Sequence, residues 1–190
     1  LKAGEEDSWY LEEYQKRKGQ ANTFVEQMRF GVREAANNPA SLLVFSGGKT
    51  RRDAGSISEG LSYWEVSRAF GWFGEEGTNE RAFTEEHARD SYENLLFSIA
   101  RFKELTGHAP RNVTVVGYEF KRERFTDLHR AAIRFPNERF SYVGTPAVHE
   151  EDSAKGEVDV RLAFTRDPYG CKAGGPLRQK RELRDPFNVG

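Results

Sequence analysis

A chain of 190 residues with 29 lysines and arginines against 30 aspartates and glutamates carries a formal charge of −1, which excludes a nucleic-acid binder held by overall charge and leaves room only for local patches. Its length is enough to bury most of its apolar surface as one α/β domain, residues 1–190, without a disulfide or structural metal, and the single Cys171 has no partner within the chain. A reducing, cytoplasmic setting is expected, with no membrane span, because no apolar run reaches the roughly 20 residues that cross a bilayer and no signal-peptide pattern opens the chain.

Residues 1–19 are polar apart from Trp9, Tyr10, Leu11 and Tyr14, which predicts an arm or short helix packed on the body. Phe24, Val25, Met28, Val32 and Ala35 recur at helical spacing, so a helix is expected over 22–37, stopped by Asn37-Asn38-Pro39. The apolar run that follows predicts a buried strand over 41–46, feeding Ser46-Gly47-Gly48-Lys49-Thr50-Arg51-Arg52. In an open α/β sheet ligands sit beyond the carboxyl ends of strands, and paired glycines let backbone amides approach an anion. This loop is therefore a candidate phosphate cradle. An ordinary turn with solvated charges is the alternative, because neither the Walker nor the GxGxxG pattern is complete.

Ser56-Ile57-Ser58-Glu59 matches a capping box, opening a helix that carries Leu61, Tyr63, Trp64, Val66 and Phe70 and ends near Gly71. Glu59 either completes that box or faces the same pocket. A polar loop over 74–79 precedes the longest expected helix, about 85–105, with Thr84 as its cap and Ala88, Tyr92, Leu95, Leu96, Ile99 and Phe102 as its apolar stripe. Glu85 and Glu86 open it, and Glu86, Asp90 and Asn94 at i, i+4 and i+8 fall on one polar face beside Ser91. Carboxylates there suit ribose hydroxyls, a metal or a proton in flight, although acids in a first turn also complement the helix dipole.

A second buried strand is expected over 112–117, followed by Tyr118, Lys121, Arg122 and Arg124, so cations stand at a second strand end. The next helix carries Phe125, Leu128, Ala132 and Ile133, and its His129 reads as a packed or capping histidine. Phe140 to Gly144 gives a third strand, residues 149–157 read as an acidic loop, and Val158 to Phe164 is a last apolar segment. The basic tail over 165–190, with Lys172, Arg178, Lys180, Arg181 and Arg184, is either a cover for the sheet edge or a docking strip for a protein partner. Strands alternating with helices imply a mostly parallel sheet covered on both faces.

Four of these motifs, in order over about residues 41–145, resemble domain-of-unknown-function family two-eighteen, the YdcF/SanA/ElyC-like proteins: Ser46-Gly47-Gly48, Ser58-Glu59, Glu85 with Asp90-Ser91-Tyr92-Glu93-Asn94, and Val116 through Arg124. Gly60 replaces the family's Ala, Asp90-Ser91 its Asn-Thr, and Lys121 its usual His, while the Arg is kept as Arg124. The wording of residues 84–91 and of Asp167-Pro168-Tyr169-Gly170-Cys171 resembles an intracellular fungal branch. The resemblance implies a Rossmann-like three-layer α/β/α sandwich with its motifs at the carboxyl edge of the sheet, and S-adenosylmethionine as one ligand known in the family. Family members usually begin with a strand ending in a glycine-containing loop, whereas this sequence opens on Leu1-Lys2-Ala3-Gly4-Glu5.

Residue types and resemblance together lead us to expect a site for an anionic small molecule, a phosphate ester or nucleotide-like compound, with hydrolase or transferase chemistry. Ser46, Gly47, Gly48, Lys49, Thr50, Arg51, Asn94, Tyr118, Lys121 and Arg124 are expected to bind the ligand. Glu59, Glu85 and Asp90 are expected to carry protons, with a divalent metal on Glu59 and Glu85 as a variant. Two other classes stay open: a nucleotide or S-adenosylmethionine sensor without turnover, and an interaction domain using the basic tail. Arg51 and Arg124 are both read as solvent-facing.

Overall fold

The computed structural model describes residues 2–11, 16, 18–148 and 150–188, so Tyr14 of the aromatic cluster and His149 lie outside the described residues. The arm forms a short 3-10 turn at Glu6–Ser8, after which Trp9 packs on Phe24 and Tyr63 with ring centroids 5.3 and 5.9 Å apart. Helix α1, Gln20–Ala36, buries the expected stripe of Phe24, Val25, Met28, Val32 and Ala35. Strand β1, Leu43–Ser46, turns Leu43 and Phe45 toward α1 and toward helix α2, Glu59–Ala69.

Two boundaries differ from expectation at the start of the long helix. Ala82–Glu85 is strand β2, paired in parallel with β1 so that Leu43 faces Ala82 and Ser46 faces Glu85. Helix α3 is Ser91–Thr106, and Asp90, not Thr84, caps it by accepting from the amides of Tyr92 and Glu93 at 3.0 and 2.9 Å. Four residues are too few to show a strand period, and the acids of 85–90 imitate a first helical turn. Glu86, Asp90 and Asn94 therefore share no helical face.

Strand β3, Val113–Tyr118, pairs in parallel with β4, Phe140–Thr145. The segment between them is irregular: a 3-10 turn at Glu119–Lys121, a π-helical turn at Arg124–His129 and one α-helical turn, α4, at Arg130–Ala132. The expected loop at 149–157 is, over its described residues 150–157, part of helix α5, Glu150–Arg166. The polar sequence of its first half hides the helical period. The basic tail forms helix α6, Pro176–Leu183, with Pro at its start.

The architecture is α/β with parallel strands and helices on both sides. The strands form two parallel pairs, β1 with β2 and β3 with β4. The remaining edges of β1 and β3 make no backbone hydrogen bond among the described residues. Helices α1 and α3 tie the pairs together from opposite faces: Tyr118 of β3 accepts from Gln20 of α1 at 2.8 Å, and Leu95 of α3 packs with Val113, Val115 and Tyr142. No helix among the described residues is long and apolar enough to cross a membrane.

Candidate functional site at the carboxyl ends of the strands

The carboxyl ends of β1 and β3, the starts of α2 and α3, and the faces of α5 and α6 enclose a cleft of about 700 Å³. Gly48, Thr50, Arg51, Glu59, Asp90, Asn94, Tyr118, Lys121 and Arg124 line it, whereas Ser46, Gly47, Lys49 and Glu85 do not.

The wall beneath the Gly-Gly loop is closed by its own hydrogen bonds. The amides of Gly47 and Gly48, expected to face an anion, donate to the carbonyls of Glu85 and Ala88 at 3.0 and 2.7 Å. A β-carbon on Gly48 would lie 2.7 Å from the Ala88 carbonyl oxygen, and one on Gly60 would lie 2.6 Å from that of Phe45. These glycines allow backbone to touch backbone where α2 and the 86–90 loop cross the end of β1. Buried Glu85 is equally committed: Oε1 accepts from the amides of His87 and Ala88 at 2.6 and 3.0 Å, and Oε2 accepts from Ser46 Oγ at 2.5 Å. Ser46 Oγ also lies 3.1 Å from Asn94 Oδ1, which ties β1 to α3.

Glu59 stands differently. Ser58 rather than Ser56 caps α2, accepting from Leu61 N at 2.9 Å, so Glu59 is the first helical residue and plays no part in a capping box. Its Oε1 accepts from Tyr63 at 2.7 Å and its side chain borders the cleft. Arg51 pairs with exposed Asp53 at 3.1 Å.

The opposite wall is cationic. Lys121 places its ammonium 5.3 Å from the ring centre of Tyr118 and 5.6 Å from that of Phe120, two rings stacked on each other. Arg124, expected at the surface, is buried in the π-helical turn and paired at 3.1 Å with Glu157 of α5, also buried. Lys180 of α6 and Arg184, which follows its last turn, complete the wall.

Helix α6 is held there by Arg181, whose Nε donates to Asp90 Oδ2 at 2.7 Å and whose Nη1 donates to the Tyr169 carbonyl at 2.8 Å. Leu177 packs with Tyr92 and Phe164. Much of the tail's charge thus faces inward, and removing residues 172–190 would strip the cleft of cations as well as removing a surface. Asp90 has one oxygen on the helix cap and one on Arg181, so it braces the site.

Among the described lining residues, Arg51, Arg89, Lys121, Arg124, Lys180 and Arg184 face Glu59, Asp90, Asp152 and Glu157. Burial, with the neighbouring cations second, shows in the titration of the lysines. Burial, reinforced by Arg124, lowers Lys121 to about 8. Burial, with Arg184 and then Arg124, lowers Lys180 to about 8 as well. Burial raises Glu157 above the usual carboxylate range despite its pairing with Arg124. Among the described residues no group of three or more His, Cys, Asp or Glu is arranged to hold a metal ion, and Glu59 and Glu85 point to different partners.

Comparison with known proteins adds one relative. The chain is 27% identical over 192 aligned positions to an uncharacterised protein of Saccharomyces cerevisiae, YOR238W, an alignment that takes in 77% of this chain and 63% of the yeast protein. The chain thus spans less than two thirds of that relative's length. No family model and no solved structure matches the chain.

Sequence reasoning missed Glu157 and did not bring Lys180 or Arg184 to the site. A usable signal existed for the latter two: after Pro176, the residues Leu177, Lys180, Arg181 and Arg184 recur at three- and four-residue spacing, which is one face of a helix. Glu157 gave none, because its importance comes from Arg124, 33 positions away in the chain and 3.1 Å away in space.

Proposed function

We propose that this cleft binds an anionic small molecule, a phosphate ester of nucleotide-like form, and acts on it as a phosphoryl hydrolase or transferase. The observation that supports the reading is the convergence of Lys121, Arg124, Lys180 and Arg184 on one cleft, with buried Glu157 paired to Arg124 among them. Crowded cations, one buried and three half-buried, are destabilised by one another, and a polyanion between them relieves that cost. The side chains bind the anion and the Gly-Gly loop shapes the floor. Trp9, Phe24, Tyr63, Tyr118 and Phe120 line the other part of the cleft, which suits a flat ring attached to the anion. Excess cations favour phosphate over the sulfonium of S-adenosylmethionine. Glu157, with its raised affinity for a proton, and Glu59 are the groups placed to exchange protons with the ligand.

A thermal-shift screen against inorganic phosphate, sugar phosphates, nucleotides and S-adenosylmethionine, with and without magnesium, tests the reading. A ligand at 100 times its dissociation constant adds about 2.7 kcal/mol, roughly 5–10 °C for a chain of this size. Phosphorylated compounds are expected to give that shift and Lys180→Met to reduce it. A shift with S-adenosylmethionine alone would favour a sensor, and none with any compound would overturn the proposal.

A further inference from the structure

The cleft wall carries a serine that the anion site does not use, with a buried histidine behind it. Ser91, the first residue of α3, lines the cleft, and its Oγ lies 2.8 Å from Nε2 of His129. His129 is fully buried at the end of the π-helical turn that Arg124 begins, and its other ring nitrogen, Nδ1, has no hydrogen-bond partner. Around the imidazole stand Phe164, Phe125 and Tyr92, with ring centroids at 4.5, 5.2 and 5.7 Å and planes near perpendicular to it. π-helical turns are rare and recur at functional sites.

Resting on the anion-binding reading above, we propose that Ser91 is the nucleophile of a phosphoryl-transfer reaction and His129 the base that takes its proton. A hydroxyl within hydrogen-bond reach of a histidine, beside cations able to hold the transferring group, is the constellation of covalent catalysis. The aromatic cage takes the place of the carboxylate that more often orients such a histidine. Ring faces are electron-rich, so they accept an N–H better than a lone pair. The proposed role requires the hydrogen on Nδ1, so that Nε2 accepts from Ser91. The start of α3 adds its dipole to favour negative charge on Oγ.

In the first step Ser91 Oγ bonds to phosphorus as its proton moves to His129 Nε2, and the ester P–O bond breaks with its electron pair on the alcohol oxygen, which takes a proton from solvent. Water then attacks the phosphoserine, releasing one proton to solvent and keeping the other as the phosphate hydroxyl, the P–Oγ bond breaks with its pair on Oγ, and His129 returns its proton to Ser91. Burial, then Arg124, lowers the imidazole to about 3, with Asp90 opposing and Arg181 assisting, so it stands neutral but is a weak base until a ligand's charge raises its proton affinity. A phosphate dianion beside Arg124 offsets that cation and strengthens the base as the ligand arrives.

The test mixes the full chain with p-nitrophenyl phosphate, quenches in acid and locates phosphate by mass spectrometry, alongside calorimetry with inorganic phosphate. The expected result is a burst of nitrophenolate with phosphate on Ser91. Ser91→Ala removes both, with turnover down about 100-fold or more, while its affinity for inorganic phosphate stays within about threefold because the cations that bind it are intact. Ser91→Thr, which keeps the hydroxyl, is expected to restore part of the burst. Inorganic phosphate bound but no phosphate on Ser91, or release retained in Ser91→Ala, would overturn this proposal alone. Failure of the wild type to bind inorganic phosphate would remove the anion site and this proposal with it.

Discussion

The two walls of the cleft are built on opposite principles. Beneath the Gly-Gly loop, Glu85 spends its oxygens on two amides and a hydroxyl, both glycine amides reach carbonyls, and Gly48 and Gly60 sit where no β-carbon fits. Across the cleft, Lys121, Arg124, Lys180 and Arg184 are crowded together, and burial makes the charge of both lysines costly. One wall is closed by its own hydrogen bonds, and the other gathers four cations around the Arg124–Glu157 pair. A substitution on the first should act on folding, and one on the second should act on binding.

The largest effect is expected at the joint between the walls. Asp90→Ala removes the cap of α3 and leaves Arg181 buried without its closest partner, and breaking a buried pair in this way costs about 3–5 kcal/mol. Thermal unfolding should show a large drop. An unchanged midpoint would mean that α6 is not held by this pair. Gly48→Ala comes next, at about 1–3 kcal/mol, because its β-carbon would press on the Ala88 carbonyl; a chemical-denaturation curve overlying wild type would contradict the close approach.

On the cationic wall the expected change is in affinity. Lys180→Met should weaken inorganic phosphate binding about tenfold, the worth of one charge-assisted hydrogen bond, with little change in melting temperature. The pH dependence sharpens the comparison further. The folded values of about 8 for Lys121 and Lys180 lie below the ordinary 10.5, so between those limits the unfolded chain binds more protons, and the contribution of these two groups to stability rises with pH. A bound anion favours the charged forms. Phosphate should therefore bind with proton uptake near pH 8 and lose affinity as pH rises beyond it. Calorimetry in buffers of different ionisation enthalpy reads that uptake directly, and a proton-neutral binding heat would count against the two lysines as ligands.

Much of the fold was legible. The α1 stripe, the apolar runs of β1, β3 and β4, and the glycine after β1 each follow a local rule that tertiary context did not disturb. Local rules failed where tertiary partners decide. Ala82–Glu85 becomes a strand because β1 lies beside it, and Ser58 caps α2 in place of Ser56. In the site, the strand-end cations Lys121 and Arg124 were legible from position alone. The roles of Gly47, Gly48, Glu85 and Asp90 as structural braces were not, because each is set by a partner distant in sequence. Arg124, with a charge that reads as surface, is buried only because α5 supplies Glu157.

The most direct test of the account is titration calorimetry of inorganic pyrophosphate into the full chain and into Lys121→Met, whose thioether can keep the packing over Tyr118 and Phe120. Saturable binding by the wild type is expected, about tenfold weaker in the variant, with the two melting temperatures close together. No binding heat in the wild type, or equal affinity in both, would contradict the assignment of the cationic wall as an anion site.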